Sequence, residues 1–414
     1  MTAAASGGSI VIVGASLAGL RAAEALRAAD YKGSITVVGD ESHLPYDRPP
    51  LSKEILLGSS SLVDIELISA ADREALRVEW LLGEPATGLV AGGVGVGDRV
   101  VPADGVVIAT GARARSLPFC GLGGVHTMRT LDDAVALRED LVAGCSVVII
   151  GAGFIGTEIA SAAVSLGCHV SIVEPDPAPL SAKIGPTAAT KLMDLIASHG
   201  VVVRAGHGVG GVDGKEQVKA VVLDDGSRLN ADVVVVGVGA IPNIEWLHGS
   251  GIELDNGVLT DEWGRTSLPN VVAAGDVACF KQGNTHRRVE HWTNARDMPA
   301  VAARTLLADL YGQPPTDPHD NPPYFWSQQF GLRLQLVGRI DPDLDLEIVD
   351  GSLDDGDFVA VQHHRDLISA VIGWNSPRSF LKWRRRSGTE LRAAASLGSE
   401  QSAVRPSLSV LPRP

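Results

Sequence analysis

The sequence predicts an α/β fold with two β-α-β units that each turn through glycine, followed by a smaller α+β C-terminal domain. Three observations carry this. Short apolar runs of the kind seen in parallel strands buried on both faces recur along the chain. Two of them lead into glycine-rich turns and then alanine-rich segments, and the composition changes beyond about residue 318. In order, residues 10–13 are a strand, Gly14-Ala15-Ser16-Leu17-Ala18-Gly19 a turn, 20–29 a helix and 35–38 the next strand. The pattern returns 137 residues later: strand 147–150, turn Gly151-Ala152-Gly153-Phe154-Ile155-Gly156, helix 157–166, strand 169–173. Further strands, 106–109, 233–236 and 271–274, also end in glycine turns, at Gly111, at Gly237 and Gly239, and at Gly275. Pro314, Pro315, Pro318, Pro322 and Pro323 mark a linker. Beyond it, 324–338, 346–349 and 358–362 read as short strands, and 393–414 as a flexible tail.

Composition excludes several classes. With 414 residues, 45% apolar and 20% charged, the chain is a globular protein of two or three domains. No apolar run approaches the roughly 18 residues of a membrane span. A net charge of −14 argues against nucleic-acid binding. Cys120, Cys145, Cys168 and Cys279 form no CxxC, zinc spacing or disulfide framework, so no metal site is expected. That pattern, with an N-terminus lacking a basic secretory leader, fits the cytoplasm.

The glycine motifs carry the chemistry. A dinucleotide pyrophosphate needs bare backbone N–H groups, a helix N-terminus and a carboxylate for the ribose hydroxyls. The first motif has Ser16 where the middle glycine usually stands, with Asp40 following Gly14 by 26 residues. Taken alone it is equally a tight strand-to-helix connection. The second motif is complete, and Glu174 follows Gly151 by 23 residues. A carboxylate there accepts from a ribose 2′-OH and repels a 2′-phosphate, and no Lys or Arg follows until Lys183, which favours NADH. Two Rossmann-like dinucleotide-binding domains in one chain suggest a flavin and a nicotinamide cofactor. Asp276, after Gly275, reads either as a contact to flavin chain hydroxyls or as a helix cap. The prolines of Tyr46-Asp47-Arg48-Pro49-Pro50-Leu51-Ser52-Lys53 present Arg48 and Lys53 on stiffened chain.

From about residue 9 to 386 the chain resembles the FAD-dependent, NADH-using ferredoxin reductases that serve Rieske oxygenases and cytochrome P450 systems. The blocks that carry the resemblance are GASLAG (14–19), PYDRPPLSK (45–53), ATGARARSLP (109–118), MRTLDDA (128–134), GAGFIGTEIA (151–160), VGVGAIPN (236–243), AAGDVA (273–278), VEHWTNAR (289–296) and PYFWSQQFG (323–331). PYDRPPLSK and PYFWS are far more specific than the glycine turns. The resemblance implies non-covalent FAD, with Gly14, Ser16, Leu17 and Ala18 at its pyrophosphate and Asp40 at its ribose. It implies Arg48 and Lys53 on the flavin side, a backbone adenine contact at Ala86, and Arg129 at the phosphates. Ala109, Thr110, Gly111, Gly275 and Asp276 complete the flavin blocks, with Trp292 and Trp326 lining the ring. NADH falls to Gly151, Gly153, Phe154, Ile155, Gly156, Glu158, Glu174 and Gly239. Glu158 either pairs with Lys53 beside the flavin or, read alone, simply favours a helix N-terminus. The chain departs from the family pattern at Gln328, where aspartate is common, at Ala178, where many members have arginine, and in the short glycine-rich stretch 88–102.

The expected domains are 1–112 with 240–319 for FAD, 113–239 for NADH, 320–392 for the C-terminal α+β domain, and the tail 393–414. Hydride transfer needs alignment and exclusion of water rather than an acid–base dyad, so no histidine is assigned, His291 being the nearest; the resemblance implies Lys53 and Glu158 as the catalytic residues. The loop Glu41–Lys53 has no cysteine, unlike disulfide reductases and NADH peroxidases. Lys382, Arg384, Arg385 and Arg386 read as a solvated helix face or as a docking patch for an acidic iron–sulfur ferredoxin, to which Arg287, Arg288, Arg296 and Arg378 add if folding gathers them. The expected protein is a monomer or homodimer. Rubredoxin reductase is the alternative enzyme, and a redox-sensing flavoprotein resembling apoptosis-inducing factor the alternative from another class.

Overall fold

The structure is a computed structural model that describes residues 8–283, 285–315, 317–388 and 390. The tail expected at 393–414 lies outside the described residues. Two five-stranded parallel sheets form the body. In the first, strands stand in the order Val271–Ala273, Gly105–Ile108, Ser9–Val13, Ser34–Gly39, Glu79–Leu82. In the second the order is Val202–Ala205, His169–Glu174, Ser146–Ile150, Val233–Val236, Val125–Thr127. In both, the strand feeding the glycine turn is central, so the turn emerges in mid-sheet. These strands are apolar without alternation because both faces are covered: Ile10, Val11, Ile12 and Val13 are all buried, as are Val147, Val148, Ile149 and Ile150. Each such side chain contributes roughly 1.5–3 kcal/mol of burial.

The strands read in the two parallel sheets agree with the sequence reading to within a residue or two, the run 346–349 extends to Glu347–Ser352, and both helices start earlier than expected. They span Leu17–Ala28 and Phe154–Ser165, not 20–29 and 157–166. The last three motif residues are already helical, and the final glycine lets the helix lie on its strand. A Cβ on Gly19 would stand 1.8 Å from Gly14 O, and one on Gly156 would stand 2.3 Å from Gly151 O.

The chain passes between the two parallel sheets twice, and the passing segments Ala112–Ala114 and Ala240–Pro242 pair antiparallel. The stretch from 86 to 102 forms a three-stranded antiparallel sheet with a bulge between Ala86 and Gly88. Beyond the proline-rich segment, five antiparallel strands run in the order Tyr324–Gln329, Leu332–Gly338, Leu367–Trp374, Asp357–His364, Glu347–Ser352, and helix Pro377–Arg386 covers them through Phe380. One buried apolar cluster joins Leu51 and Ile55, Ile159 and Ala160 of the second-turn helix, and Leu332 and Leu334 of the C-terminal sheet. That shared core brings three distant parts of the chain to one place.

Candidate functional site

The first turn is built around missing side chains. Gly14 has φ +121°, and a Cβ there would stand 2.1 Å from Ala109 O. Gly275, at φ +77°, brings its own turn against the helix N-terminus, where an added Cβ would meet the Ala18 Cβ at 2.9 Å. Leu17 and Ala18 are buried at the start of the helix. Ser16 departs from the glycine pattern for a reason the sequence hides: its Oγ accepts from Arg48 Nη2 at 2.7 Å.

Arg48 gathers the surrounding loop. It also donates to Glu41 Oε1 (2.6 Å), Arg129 O (2.6 Å) and the Tyr46 hydroxyl (3.2 Å). Burial pushes the Tyr46 phenol pKa up, and that hydroxyl donates to Glu41 while accepting from Leu131 N at 2.9 Å. Arg129 Nη2 donates to Asp276 Oδ2 at 2.7 Å, so Asp276 serves an arginine in a single 3₁₀ turn, Gly275–Val277, rather than capping a longer helix. Arg129 Nε is buried with no protein partner. Thr110 and Asn243 exchange bonds, Thr110 Oγ1 to Asn243 O (2.8 Å) and Asn243 Nδ2 to Thr110 O (2.9 Å), which fixes the turn through Gly111. Asp40 is exposed at the end of its strand, and Ala86 is placed by its pairing with Val96 in the small sheet.

The second turn has the same construction with a more open front. Gly151 has φ +106°, and a Cβ there would meet Gly237 O at 2.3 Å. Gly153, by contrast, would place a Cβ in space with no atom within 4 Å, and so would Gly239 at φ +102°. Ile155 is 45% exposed beside this opening. Glu174 is held rigidly: its oxygens accept from Ala152 N (2.8 Å) and Asp176 N (3.0 Å). The bare backbone ahead of two helix N-termini, the spare Arg129 donor and the strand-end carboxylates Asp40 and Glu174 all fit dinucleotides.

Lys53 and Glu158 meet, although 105 residues separate them. Lys53 Nζ lies 2.6 Å from Glu158 Oε2, with side chains 13% and 7% exposed, and also donates to Pro49 O at 3.0 Å. Lys53 sits in a widened turn, Leu51–Ile55, where Ile55 N reaches Pro50 O at 3.0 Å. Such turns favour functional positions. Two serines were not among the expected site residues: Ser52 Oγ and Ser327 Oγ each donate to Glu158 at 2.6 Å. Both lie inside quoted blocks, PYDRPPLSK and PYFWS, and that was their only signal.

Trp292 and Trp326 also come together, edge to face at 5.7 Å, and Trp292 Nε1 donates to Asp47 Oδ1 at 2.6 Å. Burial raises the Asp47 carboxyl pKa, and the indole bond opposes that rise. His291 stands 5.5 Å from the Phe325 ring, its Nδ1 buried without a protein partner, and burial lowers its pKa.

Two nucleotide-type sheets, with a buried lysine–glutamate pair at the second-turn helix and a third sheet bonded to it through Ser327, define a dinucleotide-dependent oxidoreductase. The chain belongs to the pyridine nucleotide-disulphide oxidoreductase family, which it matches over residues 8–298, and residues 324–403 match the reductase C-terminal family. It is 35% identical over 394 residues to rhodocoxin reductase of Rhodococcus erythropolis, covering 92% of this chain and 90% of that one. It is 34% identical over 408 residues to the ferredoxin–NAD(+) reductase component of the biphenyl dioxygenase system of Paraburkholderia xenovorans, covering 93% and 94%. Among solved structures, the covalent putidaredoxin reductase–putidaredoxin complex matches with a TM-score of 0.86 at 32% identity, covering 92% of this chain and 93% of that one. Among the described residues, no helix is long and apolar enough to cross a membrane.

Proposed function

We propose that this chain is an NADH-dependent ferredoxin reductase, with a bound, non-covalent FAD and an iron–sulfur ferredoxin as its partner. FAD held there would supply an acceptor for the hydride of NADH and a donor of single electrons, which lets a two-electron donor serve a one-electron acceptor. The observation that carries this reading is the buried Lys53–Glu158 pair, which ties the turn Leu51–Ile55 to the helix that follows the second glycine turn. The likeness to reductases named for ferredoxin supports the choice of partner.

The residues take the following roles. Backbone around Gly14–Ala18 and the helix behind it hold the FAD pyrophosphate, with Arg129 adding charge and Asp40 taking the ribose. Glu158 holds the Lys53 ammonium in place, where it would face the flavin. Trp292 and Trp326 wall off water. At the second turn, Gly153 admits the NADH pyrophosphate, and Glu174 takes the adenosine ribose. We assign 1–112 with 240–319 to FAD, 113–239 to NADH and 320–392 to the C-terminal domain.

For docking, the basic run divides. Arg384 is half-buried and stacks on Tyr324 (4.6 Å), while Lys382, Arg385 and Arg386 are exposed, Arg386 lying over Trp383 (4.9 Å). Arg339 and Arg384 line one cavity of ≈ 320 Å³ beside Tyr324, whereas Arg288 turns to Glu290 and Arg296, in the same lining, to Asp297. This positive edge is the ferredoxin surface in our reading. The test is NADH-driven cytochrome c reduction with and without added ferredoxin. Strong stimulation by a [2Fe–2S] ferredoxin is expected, and stimulation by rubredoxin alone would replace the partner.

A further inference from the structure

Three donors from two distant parts of the chain converge on one carboxylate. Ser52 Oγ and Lys53 Nζ reach Glu158 Oε2 at 2.6 Å each, and Ser327 Oγ reaches Oε1 at 2.6 Å. Glu158 is 6% exposed and Ser327 fully buried. A buried hydroxyl is unfavourable unless it is hydrogen-bonded, and Ser327 has a single hydrogen to donate. Gln329 Nε2 donates to Ser327 Oγ at 3.0 Å, which leaves that hydrogen directed at Glu158.

The strand carrying Ser327 is seated on the helix carrying Glu158. Phe154, Glu158 and Ser161 lie at i, i+4 and i+7, on one helix face. They meet Phe325 (ring centroids 4.5 Å apart), Ser327 and Phe330, whose N donates to Ser161 Oγ at 2.7 Å. Ser327 is therefore the central polar contact of a three-point grip by the C-terminal sheet.

We propose that Ser327 is a positioning residue: by capping Oε1 of Glu158 it presents Oε2 to Lys53, and so fixes where the Lys53 ammonium stands. The proposal rests on the reading of Lys53 as the flavin-side lysine. Without the cap, the carboxylate is free to rotate and shares its oxygens between Ser52 and Lys53. The C-terminal sheet then acts on the redox site through a hydroxyl, in addition to covering it.

The test uses the purified full-length flavoprotein in four forms: parent, Ser327→Ala, Ser327→Thr and Glu158→Gln, with the Ser327→Ala/Glu158→Gln pair completing a cycle. Flavin bleaching by NADH is followed in a stopped-flow instrument. Ser327→Ala is expected to slow bleaching about tenfold, the scale of one hydrogen bond to a charged group. Ser327→Thr, which keeps the hydroxyl, is expected within about twofold of the parent. In the Glu158→Gln background, Ser327→Ala is expected to add less than about twofold, because coupled residues are non-additive. Hydrogen exchange of the 324–329 amides is read in the same preparations and is expected to be alike in the Ala and Thr variants. Should Ser327→Ala not accumulate as folded protein, Ser327→Cys, a weak donor of similar size, replaces it. Equal slowing by Ala and Thr, the same slowing without Glu158, or slowing that tracks lost amide protection would each overturn the proposal. A parent whose flavin ignores NADH would instead defeat the underlying reading of the site.

Discussion

Removing the Lys53 ammonium tests the junction most severely. In Lys53→Met the Glu158 carboxylate stays buried, 7% exposed, with only the Ser52 and Ser327 hydroxyls as donors. Breaking a buried pair from one side costs about 3–5 kcal/mol. Two donors remain here, so the low end, about 3 kcal/mol, is expected. Glu158→Gln leaves a lysine that is 13% exposed and still bonded to Pro49 O, and a smaller loss of about 2 kcal/mol is expected. The double variant should be less damaged than the two losses combined, with a coupling of about 1.5–3 kcal/mol. The assay is urea unfolding at neutral pH with FAD held saturating, since any ligand of the native state shifts the midpoint. A buried pair is weakly screened, so the coupling should survive high salt. Additive effects, or a Lys53→Met loss below about 0.5 kcal/mol, the level of an ordinary surface change, would refute the reasoning.

Four further outcomes follow from the geometry. Gly156→Ala forces a Cβ to 2.3 Å from Gly151 O and should lower the unfolding midpoint sharply, while Gly153→Ala, with nothing within 4 Å, should fold normally and raise KM for NADH; equal melting of the two would contradict the packing. Glu174→Ala should relax the preference for NADH over NADPH by about 1–3 kcal/mol in kcat/KM, and an unchanged ratio would remove the ribose role. Burial lowers the pKa of His291 and of His319 below their ordinary 6.5, so the unfolded chain binds more protons and both should cost stability as pH falls from about 7 towards 5. The His291→Gln/His319→Gln variant should show a flatter acid limb when urea unfolding is measured across that pH range. Replacing Arg384, Arg385 and Arg386 by alanine should raise KM for ferredoxin at low salt and leave flavin reduction by NADH nearly unchanged. A triple variant that serves its ferredoxin as well as the parent would move the docking site elsewhere.

Local chemistry explains what could be read in advance. The central strands were legible because they are buried on both faces and therefore uninterrupted in apolar character. The helix starts were not, because Gly19 and Gly156 look locally like helix breakers and are chosen for contact with Gly14 and Gly151. Ser16 looked like a lapse from the glycine pattern until Arg48 was seen to bind its hydroxyl. The pairing of Lys53 with Glu158 was reachable only through the resemblance, since it joins residues 105 positions apart. Ser327 was hidden more deeply: a serine in a strand carries no sign of the carboxylate, 169 positions away, that makes its burial tolerable. The basic run was ambiguous because Arg384 finds Tyr324 only across the C-terminal sheet and helix.

The account stands most directly on one anaerobic titration. Purified protein is mixed with limiting NADH, and the flavin band and the band of an added [2Fe–2S] ferredoxin are followed together. Flavin should bleach on adding NADH and recover on adding oxidised ferredoxin, with about two ferredoxins reduced for each NADH consumed, because the donor gives electrons in pairs and each cluster takes one. A flavin that bleaches with NADH and stays bleached in the presence of iron–sulfur acceptors would contradict the assignment of this chain as a ferredoxin reductase.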